Sequence, residues 1–269
     1  MQVSTISFIL FLFATLMYFW FPSVGKLPTE LADVSSQTAI RAHTYANWQR
    51  LILYYLIVLG TQFILNSIYL TNKCVGSAGE NVGYAFYITL GPWTMIFAVL
   101  LIVLNMVPDL KSAFSDVFGF FYISSEATEL FSKMLVGNEN TQHQINTTTD
   151  PSKRLELTNA SDAIVKMMGN KSIIINQINQ YNFEAMWNML LPLMKPEAKR
   201  DFSIKSKLLE LVVKKENIGE MVWYIYSGIL ATSIVSYSLT SKRCAPSLES
   251  IKESEAKYKK NKSKNKNSN

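Results

Sequence analysis

Four long runs without a charged residue constrain what this chain can fold into. A helix needs about 20 mainly apolar residues to cross the ~30 Å hydrocarbon core of a bilayer. All four runs reach that length, and they cover residues 1–25, 51–72, 81–108 and 221–241. The sequence therefore predicts an all-α integral membrane protein with about four transmembrane helices and a mainly helical membrane-proximal domain. The predicted spans are residues 3–22, 51–72, 84–107 and 221–241.

The first run has two interpretations. It lacks a basic start, is long for a signal peptide and ends in the aromatic sequence YFWF, which suits a membrane boundary. We therefore expect a retained anchor. The alternative is a cleaved signal, since Ser23 and Gly25 supply small residues before a cleavage point.

The third run carries a proline in its interior, at Pro92. Proline lacks an N–H donor and interrupts an interior helix. A helix that began at Pro92 would be short for a crossing, so the sequence predicts a kinked helix over residues 84–107.

Two sets of residues are candidates for helix packing inside the membrane. Gln62 and Asn66 share a helical face of the second run, and Gly228, Thr232 and Ser236 recur at intervals of four in the fourth run. Buried amides form interhelical hydrogen bonds, and small residues allow close helix approach. The alternatives are a substrate site at the amides and a soluble core helix for the fourth run.

The net charge of +6 comes from the C-terminal tail. Residues 242–269 hold nine Lys or Arg and three acidic residues, and the remainder of the chain is neutral. We interpret this tail as a disordered topology determinant. Its alternative partners are anionic lipid or nucleic acid.

The basic tail also predicts an orientation. The positive-inside rule puts the C-terminus on the cytosolic side, so residues 109–220 would lie on the opposite side. Sequons at Asn146, Asn159 and Asn170 then become candidate glycosylation sites. Basic residues between the first two runs, Lys26, Arg41 and Arg50, conflict with this orientation.

Residues 109–220 read as a polar α-helical domain. Apolar residues recur there at helical spacing, without sustained strand-like alternation. Ser125, followed by Glu126 and Glu129, predicts a helix start. We divide the chain into a membrane region (1–108), an interfacial helix and helical domain (109–220), a fourth span (221–241) and the tail.

Motifs for chemistry are absent from the sequence. It has two cysteines, Cys74 and Cys244, and two histidines, His43 and His143, none with a partner at catalytic or metal-ligand spacing. We expect no catalytic residues, no metal site and no cofactor. Cys244 follows two basic residues beside a span and is a candidate for palmitoylation, although an unmodified thiol is the simpler state.

The stretch VPDLKSAFSDVFGFFY, residues 107–122, stays aromatic after the third run ends. Its apolar residues share one helical face: Phe114, Val117, Phe118, Phe121 and Tyr122. This face suits either a helix lying along the membrane interface or a helix in the domain core.

The same stretch resembles an element in poorly characterised membrane proteins of nucleocytoplasmic large DNA viruses, the giant viruses. The motif residues are Pro108, Lys111, Phe114, Ser115, Gly119 and Phe120. The chain departs from the pattern at Ala113, where a second proline is expected, and at Asp116, where asparagine is expected. The resemblance covers about 30 residues, from 105 to 135. It implies a protein of the virion inner membrane, made in membrane derived from the host endoplasmic reticulum, and it implies no catalytic residue.

We therefore expect a structural or assembly membrane protein, a virion component that links membrane and capsid. Its expected partners are the lipid bilayer, other membrane helices or a second copy of the chain, and capsid proteins. A small channel or transporter is the alternative, although none of the four predicted spans contains a charged residue. A membrane-bound enzyme has less support, because no acid, base or metal-ligand set is present.

Overall fold

The computed structural model describes residues 3–21, 25–26, 37–74, 78–135, 151, 171–244, 251–252 and 255–256. This part of the chain is helical and has no strands; one isolated bridge pairs Leu135 with Met194. The helices are α1 (Val3–Trp20), α2 (Gln37–Lys73), α3 (Ala78–Met106), α4 (Phe120–Met134), α5 (Lys171–Gln177), α6 (Phe183–Leu190), α7 (Pro196–Arg200) and α8 (Phe202–Ser241). The predicted all-α class is therefore confirmed for the described residues.

Among the residues that the structure describes, three helices are long and apolar enough to cross a membrane. Their candidate segments are Thr44–Lys73, Ala78–Met106 and Phe202–Ser241. The apolar part of α1, Thr5–Trp20, is shorter. At 1.5 Å per residue it reaches only about 24 Å, less than the ~30 Å hydrocarbon core. The structure thus supports a membrane protein with three such helices, and the predicted count of about four is not confirmed.

Two spans belong to longer helices than the sequence predicted. α2 begins at Gln37 and α8 at Phe202, well before the uncharged runs within them. α8 starts where the Asp201 carboxylate accepts a hydrogen bond from the backbone N–H of Ser203 at 2.9 Å. The domain helix and the fourth span are therefore one continuous helix, because charged residues end a hydrophobic run without ending a helix.

Pro92 lies inside α3 and leads directly into a π-helical segment, Trp93–Ala98. Local π-helix is one way in which a helix accommodates an interruption of its regular hydrogen bonds. The interruption predicted at Pro92 is thus a π-helical segment within a continuous helix. α3 extends over Ala78–Met106, whereas the sequence predicts a helix over residues 84–107. Ser125 lies within α4, which begins at Phe120, so the predicted helix start at Ser125 is wrong.

The chain forms two compact units. The first comprises residues 1–16, 52–101 and 226–269, and the second comprises residues 17–51 and 102–225. In the first unit, the buried rings of Phe11, Trp93 and Phe97 pack with centroids 5.2 to 5.6 Å apart. Such aromatic contacts supply a large buried apolar area at one point.

The second unit has its own hydrophobic core. Most of its buried side chains come from α4, α5, α6 and α8, and they include Ile123, Phe131, Ile175, Trp187 and Leu211. Within the described residues, helices that lie between the third and fourth uncharged runs therefore pack on one another and on the first part of α8.

Candidate functional site

Residues 108–119, which we call the elbow, follow α3 after a break in the helix at Val107. Val107 leaves helical geometry, with φ −125° and ψ 79°, because the residue before a proline is disfavoured in the α region. A 3-10 turn, Pro108–Lys111, follows, then a short α-turn, Ser112–Phe114, and a π-helical turn, Ser115–Gly119. The elbow runs into α4, so helical structure resumes directly after the break at Val107.

Ser115 and Gly119 form the face of the elbow that contacts α8. A Cβ atom on Gly119 would overlap the carbonyl oxygen of Lys215, and one on Gly219 would lie 2.5 Å from the backbone nitrogen of Ser115. Small residues allow helix backbones to approach this closely. Serine and glycine in the motif are therefore explained by a close crossing between the elbow and α8.

Lys111 ends in a buried ion cluster on α8. Its ammonium group lies 2.7 Å from Oε2 of Glu220, and the ammonium group of Lys26 lies 2.6 Å from the same oxygen. The hydroxyl of Tyr224 donates to the other oxygen of this carboxylate at 2.8 Å. The Glu220 side chain is only 2% exposed. Because a buried charge needs close partners, this cluster holds the elbow and the segment after α1 against α8.

A second buried polar group lies one turn earlier on α8. The ammonium group of Lys215 lies 3.1 Å from Oδ1 of Asp116 and donates to the carbonyl oxygen of Ile175 at 3.0 Å. The carboxylate of Glu216 accepts hydrogen bonds from the backbone N–H of Gln180 at 3.1 Å and from its side-chain amide at 2.7 Å. These contacts attach the elbow and the end of α5 to the same part of α8.

The two buried carboxyl groups of α8 have opposite pKa shifts, and both precede the uncharged run 221–241. Burial opposes ionisation of Glu220, but the ammonium groups of Lys26 and Lys111 outweigh it and lower its pKa to about 2. Burial raises the pKa of Glu216. The lowered pKa keeps Glu220 negatively charged at neutral pH.

Val117 and Phe118 of the elbow and Phe121 and Tyr122 at the start of α4 form an exposed, mainly aromatic surface, which we call the ridge. These side chains are 61%, 50%, 83% and 52% exposed, respectively. The interpretation of this face as part of the domain core is wrong for these side chains, because the core side of the same segment is occupied by Ser115 and Gly119. The ridge is thus an apolar surface on a segment that buried contacts hold against α8.

Phe114 differs from the ridge because its ring packs edge-on against Trp223, with centroids 4.6 Å apart. The indole N–H of Trp223 donates to the carbonyl oxygen of Leu110 at 3.1 Å. Phe120, the last motif residue, packs against the core of the second unit. Lys111, Phe114, Ser115 and Gly119 thus all contact residues 215–223 of α8.

The candidate packing amides of α2 are engaged with other helices. The side-chain amide of Gln62 donates to the carbonyl oxygen of Ser7 at 2.9 Å and accepts from the Ser7 hydroxyl. Asn66 donates to the Thr89 hydroxyl at 2.9 Å. These bonds join α2 to α1 and to α3, which is the arrangement that helix packing requires.

The small residues of α8 lie beside α1. A Cβ atom on Gly228 would overlap the ring of Phe11. Thr232 is buried, and Ser236 is half-buried in the lining of a groove that also includes Thr5 and Phe8. α1 and α8 therefore approach each other closely at Gly228, where the ring of Phe11 occupies the space that a side chain would take.

Cys244 forms a disulfide bond with Cys74, 170 residues earlier in the chain. A disulfide-bonded sulfur cannot be acylated, so the palmitoylation predicted at Cys244 does not apply to this state. The sequence interpretation as an unmodified thiol is wrong for the same reason. The sequons at Asn146, Asn159 and Asn170 and the side chains of His43 and His143 lie outside the residues that are described.

Sequence reasoning missed the α8 half of the site, which consists of Lys215, Glu216, Gly219, Glu220 and Trp223. A signal was present, since two carboxyl groups immediately precede an uncharged run on one helix. The sequence pattern indicates only a domain boundary there, because helical periodicity does not identify the distant segment that packs against a helix.

No group of three or more metal-ligating side chains of the His, Cys, Asp or Glu type occurs among the residues that the structure describes. No family model matches the chain, and no curated protein or solved structure matches it either.

Proposed function

We propose that this chain is a structural or assembly component of a membrane. The observation that carries the proposal is the elbow, which combines a buried ionic attachment to α8 with an exposed aromatic ridge. A helical element held this firmly, with its apolar side chains on the outside, suits a fixed contact with another surface.

The surface that we propose for the ridge is the membrane interface. Phe114 contacts Trp223, which lies near the start of the uncharged run 221–241 of α8, and Trp223 donates to the backbone of the elbow. Aromatic side chains concentrate where a span meets the headgroups. The ridge would then lie in the acyl boundary as an amphipathic interfacial element.

The wider role that we propose is to link a viral inner membrane to an overlying capsid. Support comes from the resemblance of the elbow to the giant-virus element and from the helical core of residues 102–225, which could present a docking surface. The proposed partners are capsid proteins at this domain and lipid at the ridge. The proposed location is the virion inner membrane, after synthesis in membrane derived from the endoplasmic reticulum.

A transport function has weaker support than a structural role in helix packing. The amides of Gln62 and Asn66 are bonded to Ser7 and Thr89, so their hydrogen-bonding capacity is used between helices. This arrangement favours a structural role for the polar face of α2.

Two signals bear on orientation. The tail favours a cytosolic C-terminus by the positive-inside rule. The disulfide between Cys74 and Cys244 favours the opposite side, because disulfides are rare in the reducing cytosol.

Photocrosslinking from two exposed positions tests the proposed function. A photoreactive side chain at Phe121 should label phospholipid in intact membranes, and one at Lys199 should label a capsid-type protein. Lys199 is an exposed residue of α7 in the helical domain. Absence of the chain from purified virions would overturn the viral role, and exclusive labelling of protein from Phe121 would overturn the interfacial position of the ridge.

A further inference from the structure

The ends of α2 and α8 are joined by a disulfide in the first unit. Cys74 follows Lys73, the last residue of α2, and Cys244 lies three residues after α8 ends at Ser241. Their Cα atoms are 5.1 Å apart. This separation is within the range that a disulfide requires.

Polar contacts around the two cysteines hold the same ends together. The ammonium group of Lys73 donates to the carbonyl oxygens of Leu239 at 2.8 Å, Thr240 at 2.9 Å and Lys242 at 3.2 Å. The last carbonyls of a helix lack partners within the helix and carry its negative dipole end. Lys73 therefore caps α8 from the neighbouring helix.

Two further contacts involve the same segments. The side-chain amide of Asn81 donates to the carbonyl oxygen of Cys74 at 3.1 Å. The ammonium group of Lys242 lies 4.0 Å from the centre of the Tyr84 ring, in cation–π geometry. We call this assembly, formed by Lys73, Cys74, Asn81 and Tyr84 with residues 239–244, the collar. Its contacts are independent of the covalent bond, so they would bring the two thiols together before oxidation.

We propose that the collar is an oxidative modification site that faces an oxidising compartment, so that the end of α2 and the root of the basic tail lie on the non-cytosolic side of the membrane. The two thiols lose two protons and two electrons to an exchangeable disulfide on a thiol oxidoreductase. That disulfide becomes a dithiol as the bond between Cys74 and Cys244 forms.

Charge does not override this orientation. The tail is basic, but basic residues also lie between the first and second uncharged runs, at Lys26, Arg41 and Arg50. Under the positive-inside rule, the tail favours one orientation and these three residues favour the other. Stable disulfides, in contrast, are largely confined to oxidising compartments.

The proposal has a consequence for the sequons. One helix long enough to span a membrane, Ala78–Met106, separates Cys74 from Asn146, Asn159 and Asn170 along the chain. With Cys74 on the non-cytosolic side, these asparagines are on the cytosolic side. They should then remain without glycan, because sequons are modified only in the secretory lumen.

The test uses the full chain, with an epitope tag after Asn269, in sealed microsomes. Free thiols are blocked under denaturing conditions, the chain is then reduced, and the released thiols are labelled with a maleimide polymer. We expect two labelled thiols that depend on reduction, a tag protected from added protease until detergent is present, and no mass loss on glycosidase treatment.

Single variants Cys74→Ser and Cys244→Ser are the matched controls, since each should expose one thiol to the first blocking step and leave none to label after reduction. Free thiols in the unaltered chain would overturn the modification site. A tag that protease removes from sealed vesicles, or glycosidase-sensitive sequons, would overturn the orientation. The unaltered chain alone decides these outcomes, so they do not depend on the folding of a variant.

Discussion

Gly219 lies against Ser115 with no space for a side chain. A Cβ atom at Gly219 would lie 2.5 Å from the backbone nitrogen of Ser115. Ion pairs flank this contact, from Lys215 to Asp116 and from Glu220 to Lys111. The elbow therefore cannot move away from α8 at this point without stretching buried charged contacts.

Gly219→Val should destabilise the second unit. Overpacking a close contact costs about 1–3 kcal/mol, and a backbone neighbour cannot relax as a flexible side chain can. The measurement is chemical unfolding in detergent, followed by tryptophan fluorescence. Gly83→Val is the matched control, because nothing lies within 4 Å of a Cβ atom at Gly83 in α3. Equal stability of the two variants would contradict the close crossing.

Glu220→Gln should destabilise the protein strongly. It leaves the ammonium groups of Lys26 and Lys111 buried beside a neutral amide, and removing one partner of a buried ion pair costs about 3–5 kcal/mol. Glu129→Gln is the control, since its pair with Lys133 has side chains 68% and 67% exposed. An exposed pair of this kind contributes little to stability, because water and salt screen it. Similar unfolding midpoints for the two variants would contradict a structural role of the ion cluster.

The sequence predicted where the helices lie better than it predicted which segments they contact. Uncharged length identified the apolar segments of α2, α3 and α8, because the bilayer sets a minimum helix length. Helical spacing placed Gln62 and Asn66 on one face, and both are bonded to neighbouring helices. Local patterns do not specify which distant segment contacts a given face.

The candidate site illustrates this limit. The motif identified Lys111, Ser115 and Gly119, but their partners on α8 lie about a hundred residues away along the chain. The same holds for Cys74 and Cys244. Whether two cysteines pair depends on their spatial separation and on the redox compartment, and neither property is encoded in local periodicity.

The stability of the protein should depend on pH through Glu220. The folded pKa of this carboxyl, about 2, is below its ordinary value of 4.5. Its ionisation therefore favours the folded state fully above pH 4.5, and this contribution is lost as the pH falls from 4.5 towards 2. The check is the unfolding free energy measured across this range. The difference between the unaltered chain and Glu220→Gln should shrink as the pH falls, and a constant difference would contradict the assignment.

Glu216 should show the opposite dependence. Burial raises its folded pKa above 4.5, so its contribution is present below pH 4.5 and is lost as the pH rises through the folded pKa. Glu216→Gln should therefore gain stability relative to the unaltered chain as the pH rises above 4.5. Unfolding free energies measured on this pair at several pH values provide the check, and a relative loss at higher pH would contradict the raised pKa.

Gln62→Leu should weaken helix packing without creating or abolishing ion flux. The substitution removes the bonds between the Gln62 amide and Ser7, and hydrogen bonds between membrane helices contribute about 0.6–2 kcal/mol. Thr61→Val is the control, because the Thr61 hydroxyl bonds only to the carbonyl oxygen of Ile57 on its own helix. The unfolding free energies of the two variants, measured in mixed micelles, should differ by this amount. Vesicles with the unaltered chain and with Gln62→Leu should be equally impermeable to ions. Flux that requires Gln62 would show that the polar face of α2 conducts ions, and the structural role would then be wrong.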